Sequence, residues 1–599
     1  MTDTRLQKQL IPEERNRNTL WCRIILEELR ACGLTHVILC PGGRSSAMAF
    51  ALAHQPEITT LVHTDERSAA FFALGLIKAR GTPAAVCTTS GSAVANILPA
   101  VLEADYSNLP LILLTCDRPR SQRDSGAPQT ADHAGLCRTV VRLCLDLDEV
   151  ESDEKALLAL RRQISGIRRN CTPGAARGPV HVNVPLRGSI TSMDRESDWE
   201  RRPLSDEALN GRRDEAGGIL PMIDLVAEPG GAIPPGLDLR PGLRGIIVAG
   251  SDSVLTPRQM GQLADLTGFP LLADAPSGCR RPRCSANLVS EADALTFSAS
   301  FPPERTELII RLGLAPISVG LQRFLASQAC PTLRIVSRAR PRDFLSRNIH
   351  TLETPSDGAL EELGNRLGPG DRDWLQLWLK SGSTIAGTWE RFLADAGWGE
   401  CQAAQAICNA PGFDFIHLAN SMSIRHGNLF CRPSNKAQRT FANRGVNGID
   451  GTLGTFFGEL VGTGRRGLLL VGDLAMLHDL PALEAAKHQG LRGVICLIDN
   501  AGGGLFDLVG CHDVPDYERL IRNPQRADFT GIARSFGIAS YRCESLAELA
   551  SALAEAGEAL GILLIHVVVP PDSLKRDVAA LYAACFPPRS APTRRCLEL

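Results

Sequence analysis

The chain has 599 residues, 44% hydrophobic and 22% charged, and its 64 Lys and Arg against 66 Asp and Glu leave a formal net charge of −2. That balance gives no basic footprint for nucleic acid or an anionic membrane surface, and the length exceeds what one core supports, so about three or four domains are expected. Residues 1–17 are charged without the apolar centre of a signal peptide, and no apolar run is long enough to span a bilayer, so a cytoplasmic location is expected.

In chain order, residues 18–187 alternate strand and helix patterns, with strands expected at 37–40, 59–63, 84–88 and 111–115 and helices at 47–53, 69–79 and 93–104. Continuous apolar strands separated by helices predict a parallel sheet covered on both faces. Residues 191–242 turn charged and rich in Pro and Gly, including MDRESDWERR, and read as a linker or irregular insertion. A second α/β stretch opens at 245–250 (GIIVAG), continues through 270–274 and 308–312, and fades near Gly370. A third runs from Phe413 to about Pro570. The expected fold class is therefore α/β, with three doubly wound parallel-sheet domains at 1–195, 196–385 (linker and middle domain) and 386–599. The 19 cysteines are scattered without a C-x-x-C pair, Cys279 and Cys284 lying nearest, so they read as reduced, buried small hydrophobes with no zinc site.

The densest chemistry lies between Gly472 and Gly504. An apolar strand ends in Gly472-Asp473, a crossover helix is expected at 481–489, and a second apolar strand ends in Asp499-Asn500 followed by Gly502, Gly503 and Gly504. A parallel βαβ unit would bring Asp473 and Asn500 out side by side at the carboxyl edge of the sheet. Mg²⁺ takes one or two carboxylate or amide oxygens and fills its remaining positions with water and phosphate, while glycines let backbone approach a diphosphate. Earlier, His63-Thr64-Asp65-Glu66 closes a strand before an Ala-rich helix, where acids favour the helix dipole. Residues 89–96 (TSGSAVAN) read as a strand-to-helix turn with hydroxyl caps, and 443–451 as a glycine-rich loop ahead of a helix. The literal G-x-G-x-x-G at 462–467 precedes a strand, the wrong context for a dinucleotide fingerprint, and reads as a turn. His63, His133 and His478 receive no catalytic role, since lone histidines more often pack or hydrogen-bond.

The strand-GD-helix-strand-DN-GG arrangement resembles the metal and diphosphate motif of thiamine-diphosphate-dependent enzymes. The motifs PGGRSS, HTDERSA, TSGSAVAN, TCDRPR, GAPQT, NSMSIR, NRGVNGIDG and GDLAMLHDL narrow the resemblance. Together they are similar to the family of 2-succinyl-5-enolpyruvyl-6-hydroxy-3-cyclohexene-1-carboxylate synthases of menaquinone and phylloquinone biosynthesis. That resemblance implies pyrimidine-binding, middle and diphosphate-binding domains, a cofactor bridging two subunits, and a homodimer or a dimer of dimers. It implies decarboxylation of 2-oxoglutarate followed by 1,4-addition to isochorismate. By the same resemblance Glu66 is the catalytic, cofactor-activating acid. Ser90, Gly91, Ile449, Gly472, Leu474, Gly502 and Gly503 hold thiamine diphosphate, with Ile449 as the wedge beneath the bent cofactor. Asp473, Asn500 and Gly502 hold Mg²⁺ or Mn²⁺, and Arg44, Arg118, Gln129, Ser421, Arg425 and Arg444 bind the polyanionic substrates.

The chain departs from the family pattern at Gly43 in place of Ser, Pro128 in place of Asn, and Val319 in place of Lys or Arg; Leu474, in place of the wider family's Gly, is shared with the subgroup. Two other readings are a thiamine-dependent 2-oxo acid decarboxylase or carboligase with a different acceptor, and a non-catalytic relative that kept the fold.

Overall fold

Three runs of Leu-, Ile- and Val-rich sequence fold into three six-stranded, all-parallel sheets. The computed structural model describes residues 16–172, 176–188, 204–225, 230–298, 301–302, 304–337, 342–488 and 490–586. Residues 1–15 and the linker stretch MDRESDWERR lie outside the described residues. The chain divides into two compact units, Met1–Glu228 and Pro229–Leu599.

The first unit holds β1 (His36–Leu39), β2 (Thr59–Val62), β3 (Ala84–Thr88), β4 (Leu111–Asp117), β5 (Leu143–Asp146) and β6 (Val180–Pro185), in the order 2-1-3-4-6-5. β3, β4 and β6 are buried along their whole length, which is why they read as unbroken apolar runs and not as alternating ones. A small hairpin of β7 (Arg212–Arg213) and β8 (Ile219–Leu220) follows. Where one helix was expected at 93–104 there are two, Ser92–Asn96 and Leu98–Tyr106. Pro99 stands at the first turn of the second, where its missing N–H and fixed φ are tolerated.

The second unit carries two sheets. β9 (Gly245–Ala249), β10 (Leu271–Ala273), β11 (Leu288–Val289), β12 (Leu308–Leu312), β13 (Thr332–Val336) and β14 (Ile349–Glu353) lie in the order 11-10-9-12-13-14. β15 (Phe415–Leu418), β16 (Arg439–Phe441), β17 (Gly467–Gly472), β18 (Arg492–Asp499), β19 (Ala539–Cys543) and β20 (Gly561–Val568) lie in the order 16-15-17-18-20-19, the plan of the first sheet repeated. Between these two sheets the sequence reading left a gap that the structure fills with a 24-residue helix, Arg372–Asp395. Asp371 caps it by accepting from the N–H groups of Asp373 and Trp374. Trp374, Trp378, Ile385 and Trp389 recur at helical spacing on its buried face and join the core shared by both sheets.

Two buried arginines tie the middle sheet's loop to the third domain. Arg280 donates to the carbonyls of Ala273, Asn428, Cys431 and Ser290. Arg281 donates to the carbonyls of Cys408 and Arg432 and to Asn409 Oδ1 and Gln438 Oε1. These contacts satisfy the guanidinium donors that burial takes from water, so the joint is polar and hydrogen-bonded. No helix among the described residues is long and apolar enough to cross a membrane.

Candidate active site

In the third sheet, strand order reverses between β15 and β17, and doubly wound sheets take ligands at the carboxyl edge beside such a reversal. β17 and β18 pair with Gly472 opposite Ile498, so the residues that follow leave the sheet together. Asp473, 3% exposed, accepts from the backbone N–H of Leu474 at 2.7 Å and of Gly502 at 2.6 Å. Burial, aided by the neighbouring carboxylates of Asp499 and Glu400, pushes its pKa up to about 7. Asn500 donates through Nδ2 to Glu400 Oε2 at 2.8 Å, leaving Oδ1 buried without a hydrogen-bond partner. The crossover helix expected at 481–489 is replaced by a helix over Asp473–His478 and a 3-10 helix over Leu480–Lys487. Asp473 therefore sits in a helix's first turn.

These groups suit a divalent ion carrying a diphosphate. The oxygens on offer are hard, one buried carboxylate has its pKa raised by burial and by neighbouring carboxylates, and one buried amide oxygen has nothing to accept among the described residues. Gly502 has φ +131°, and a Cβ there would meet the carbonyl of Arg522 at 2.7 Å; one on Gly503 would meet Phe506 at 2.7 Å. Side chains are thus excluded where a phosphate would approach. Among the described residues no group of three or more His, Cys, Asp and Glu could hold a metal ion. The donor set here is instead a carboxylate, an amide and a backbone carbonyl, which relies on phosphate and water for completion.

The loop from Asn443 to Gly451 is pinned from two sides. Asn420 donates to the carbonyls of Asn443 and Gly448 and accepts from Arg444 Nη1 at 2.7 Å, so one amide fixes both the loop and its arginine. The following helix, Thr452–Thr463, has no side-chain cap of its own; buried Asp479 supplies one by accepting from Leu453 and Gly454. Half-buried Ile449 projects from this pinned loop. Ser421 begins the helix Met422–Phe430 at φ +66°, and its carbonyl accepts from Arg425 Nη1 at 2.6 Å. Burial lowers the Arg425 pKa, and buried Asp293, which lines the same small cavity, opposes that shift. Val319 lines this cavity too.

In the first unit the corresponding edge carries Arg44 after β1, Glu66 after β2, Ser90 and Gly91 after β3, and Arg118 after β4. Glu66 opens the helix Glu66–Arg80, capped by Asp65, and accepts from Asn96 Nδ2 at 3.2 Å. The hydroxyl caps expected at 89–96 are absent: Gly91 is the N-cap, at φ +86°, and Ser90 Oγ turns away to the Gln129 carbonyl at 2.9 Å. Gln129 returns a bond from Nε2 to the Ser90 carbonyl at 3.2 Å and itself holds φ +58°. Gly91 N–H donates to His133 Nε2 at 3.1 Å, and His133 Nδ1 faces Asn183 Oδ1 at 3.1 Å. Asn183 donates to Asp117 and Asp146, which Arg123 bridges. His133 is therefore a link that orients Gly91, in keeping with the packing role expected for it.

Arg44 donates to the carbonyls of Leu186 and Gly188 and has its pKa lowered by burial and then by Arg118. Arg118 Nε is buried without a hydrogen-bond partner. Two neighbouring guanidiniums, one with an unused donor, form a concentration of positive charge suited to an anion. A Cβ on Gly43 would meet nothing within 4 Å.

Sequence reasoning missed Glu400, Asp479, Asn183 and Asn428, all buried polar residues that hold the loops. Asp479 lies inside the GDLAMLHDL motif and could have been found there; Glu400 sits in no motif.

Residues 22–136 match the family described as thiamine pyrophosphate enzyme, N-terminal TPP binding domain, and residues 409–567 match thiamine pyrophosphate enzyme, C-terminal TPP binding domain. A protein of Halobacterium salinarum named 2-succinyl-5-enolpyruvyl-6-hydroxy-3-cyclohexene-1-carboxylate synthase is 32% identical over 580 residues, covering 94% of this chain and 97% of its own. Relatives of the same name from Chloroflexus aurantiacus and a Synechococcus species are 33% and 34% identical over 535 and 560 residues. They cover 86% and 90% of this chain, and 87% and 92% of their own.

Proposed function

From a chain that belongs to the 2-succinyl-5-enolpyruvyl-6-hydroxy-3-cyclohexene-1-carboxylate synthase family of thiamine pyrophosphate enzymes, we infer a thiamine-diphosphate-dependent, carbon–carbon-bond-forming transferase of menaquinone biosynthesis. Its substrates are 2-oxoglutarate and isochorismate. 2-Oxoglutarate loses CO₂, and the remaining four-carbon unit adds through its former keto carbon to the isochorismate ring in a 1,4-addition. When bound, thiamine diphosphate supplies the electron sink that permits the decarboxylation and makes that carbon nucleophilic.

The residues divide the remaining work. Asp473 Oδ, Asn500 Oδ1 and the Gly502 carbonyl hold Mg²⁺ or Mn²⁺, and Gly472, Leu474, Gly502 and Gly503 surround the diphosphate. Ser90 and Gly91 line the pyrimidine side, where the Glu66 carboxyl would hold a proton at the pyrimidine ring nitrogen, making the exocyclic amine acidic enough to give up a proton and then accept one. Ile449, on its doubly pinned loop, supports the cofactor's bend. Arg44, Arg118, Arg425 and Arg444 take the substrate carboxylates, with Gln129 and Ser421 as neutral hydrogen-bonding partners. A homodimer is the minimum assembly this reading requires, working in the cytoplasm.

The observation that carries the reading is the buried pair of Asp473, beside the carboxylates of Asp499 and Glu400, and Asn500, whose Oδ1 has no hydrogen-bond partner among the described residues. The test is a product assay with 2-oxoglutarate in the presence and absence of isochorismate. CO₂ release together with an isochorismate adduct is expected; release indifferent to isochorismate, with no adduct, points to a carboligase of another acceptor. Failure to bind thiamine diphosphate with Mg²⁺ overturns the enzyme reading altogether.

A further inference from the structure

We propose that Glu400 is the positioning residue that orients the Asn500 side-chain amide, and so decides which of its two ends is offered to the metal ion. The inference rests on the metal reading of Asp473, Asn500 and Gly502 given above. An amide side chain is a fork with a carbonyl acceptor on one prong and an NH₂ donor on the other, and a half-turn exchanges them. Only one orientation gives a metal ligand.

Glu400 makes that choice by chemistry. A carboxylate oxygen is an acceptor, and Glu400 Oε2 takes the Asn500 Nδ2 donor at 2.8 Å. The flipped amide would set the Oδ1 lone pairs against the same carboxylate oxygen, exchanging a hydrogen bond for repulsion. With Nδ2 held, Oδ1 is left buried and without a hydrogen-bond partner. That free acceptor is what a cation would use.

Glu400 is itself prevented from turning. It is 2% exposed; Oε1 lies 2.8 Å from His426 Nε2, and its backbone N–H donates to Ser573 Oγ at 3.1 Å. His426 is 1% exposed and stacks on Phe430 with 17° between the rings. The chain Phe430, His426, Glu400, Asn500 thus runs from the hydrophobic core to the sheet edge. Such outer partners orient metal ligands, and losing one typically weakens metal binding about 10- to 100-fold.

The test uses the full-length protein with thiamine diphosphate and reads Mn²⁺ affinity from the electron paramagnetic resonance of the free ion. Glu400→Ala is expected to weaken Mn²⁺ about 10- to 100-fold, and Glu400→Gln, whose own amide can present a donor to a flipped Asn500, is expected to recover at most part of that loss. In an Asn500→Ala background, removing Glu400 should cause little further loss, because its effect passes through the amide. Unchanged Mn²⁺ affinity in Glu400→Ala overturns the proposal, as does equal loss in both backgrounds, or a Glu400→Gln variant with fully wild-type affinity. Should Glu400→Ala not fold, Glu400→Leu keeps the volume without the acceptor and reads the same quantity. A wild-type protein that shows no Mn²⁺ binding in the presence of thiamine diphosphate sinks the metal reading itself, an outcome distinct from any variant result.

Discussion

The two compact units carry charge of opposite sign at corresponding places in the same strand plan. At the carboxyl edge of the first sheet, Arg44 and Arg118 crowd together, and burial and mutual repulsion lower the Arg44 pKa. At the edge of the third, Asp473 sits among Asp499 and Glu400 and is pushed the other way, up to about 7. Folding alone disfavours both arrangements, since buried like charges gain nothing from one another. On the proposed function, each would be relieved by a ligand of the opposite sign, an anion in the first and a divalent cation in the second. One topology has thus been given two complementary appetites by changing the residues at its loop tips.

The comparison breaks most visibly at Glu66, an acid on the same edge as Arg44 and Arg118. Glu66→Gln should leave the circular dichroism spectrum unchanged and lower turnover about 10²- to 10⁴-fold, the range for a lost acid–base group; near-native kcat would remove Glu66 from the chemistry. Next, Asp473→Asn keeps the two backbone contacts but removes the charge. Calorimetry should show Mg²⁺-dependent binding of thiamine diphosphate weakened about 100-fold, and an unchanged Mg²⁺ requirement would contradict the cation-binding assignment of the third sheet.

On the cationic side, Arg118→Ala should raise the KM for the anionic substrates about 10- to 100-fold, from the loss of a charge-assisted hydrogen bond of about 1.5–3 kcal/mol. A change in kcat alone would show that Arg118 does not bind the ground state.

The smallest catalytic effect is expected at Asp274, a buried carboxylate that follows β10 in the middle sheet and that burial pushes up to about 6 despite Arg280 and Arg444. Its native pKa lies above the unfolded value of 3.8. It therefore contributes stability that is fully present below about pH 4 and lost as pH rises through 6. Asp274→Asn should melt progressively higher than wild type between pH 4 and 6 and hold that gain above it, by about 3 kcal/mol at most. A melting difference independent of pH would show that Asp274 does not titrate in that window.

Sheets and ligand loops were legible in the sequence because both leave strong local signals. The strands β3 and β4, buried throughout, and β17 and β18, buried save at their ends, carry apolar runs, and the loops after them carry glycines and oxygens at fixed spacing. The supports were not legible. Glu400 meets Asn500 across 100 residues of sequence, and Asn183 meets His133 across 50; nothing local to either residue announces such a partner. The helix Arg372–Asp395 was passed over because its tryptophan stripe lies among charged and polar residues. The split crossover after Asp473 was passed over because Asp479 looks like a helix residue until its partners, Leu453 and Gly454, are seen.

Gly43 offers a practical handle. Its backbone lies outside the left-handed region and an added methyl would meet open space, so any small side chain fits there without disturbing its surroundings. A saturation library at this single codon would vary the lining beside Arg44 while holding the scaffold constant. Substrate scope could then be retuned, by breeders of enzymes or by natural drift, without the fold registering the change.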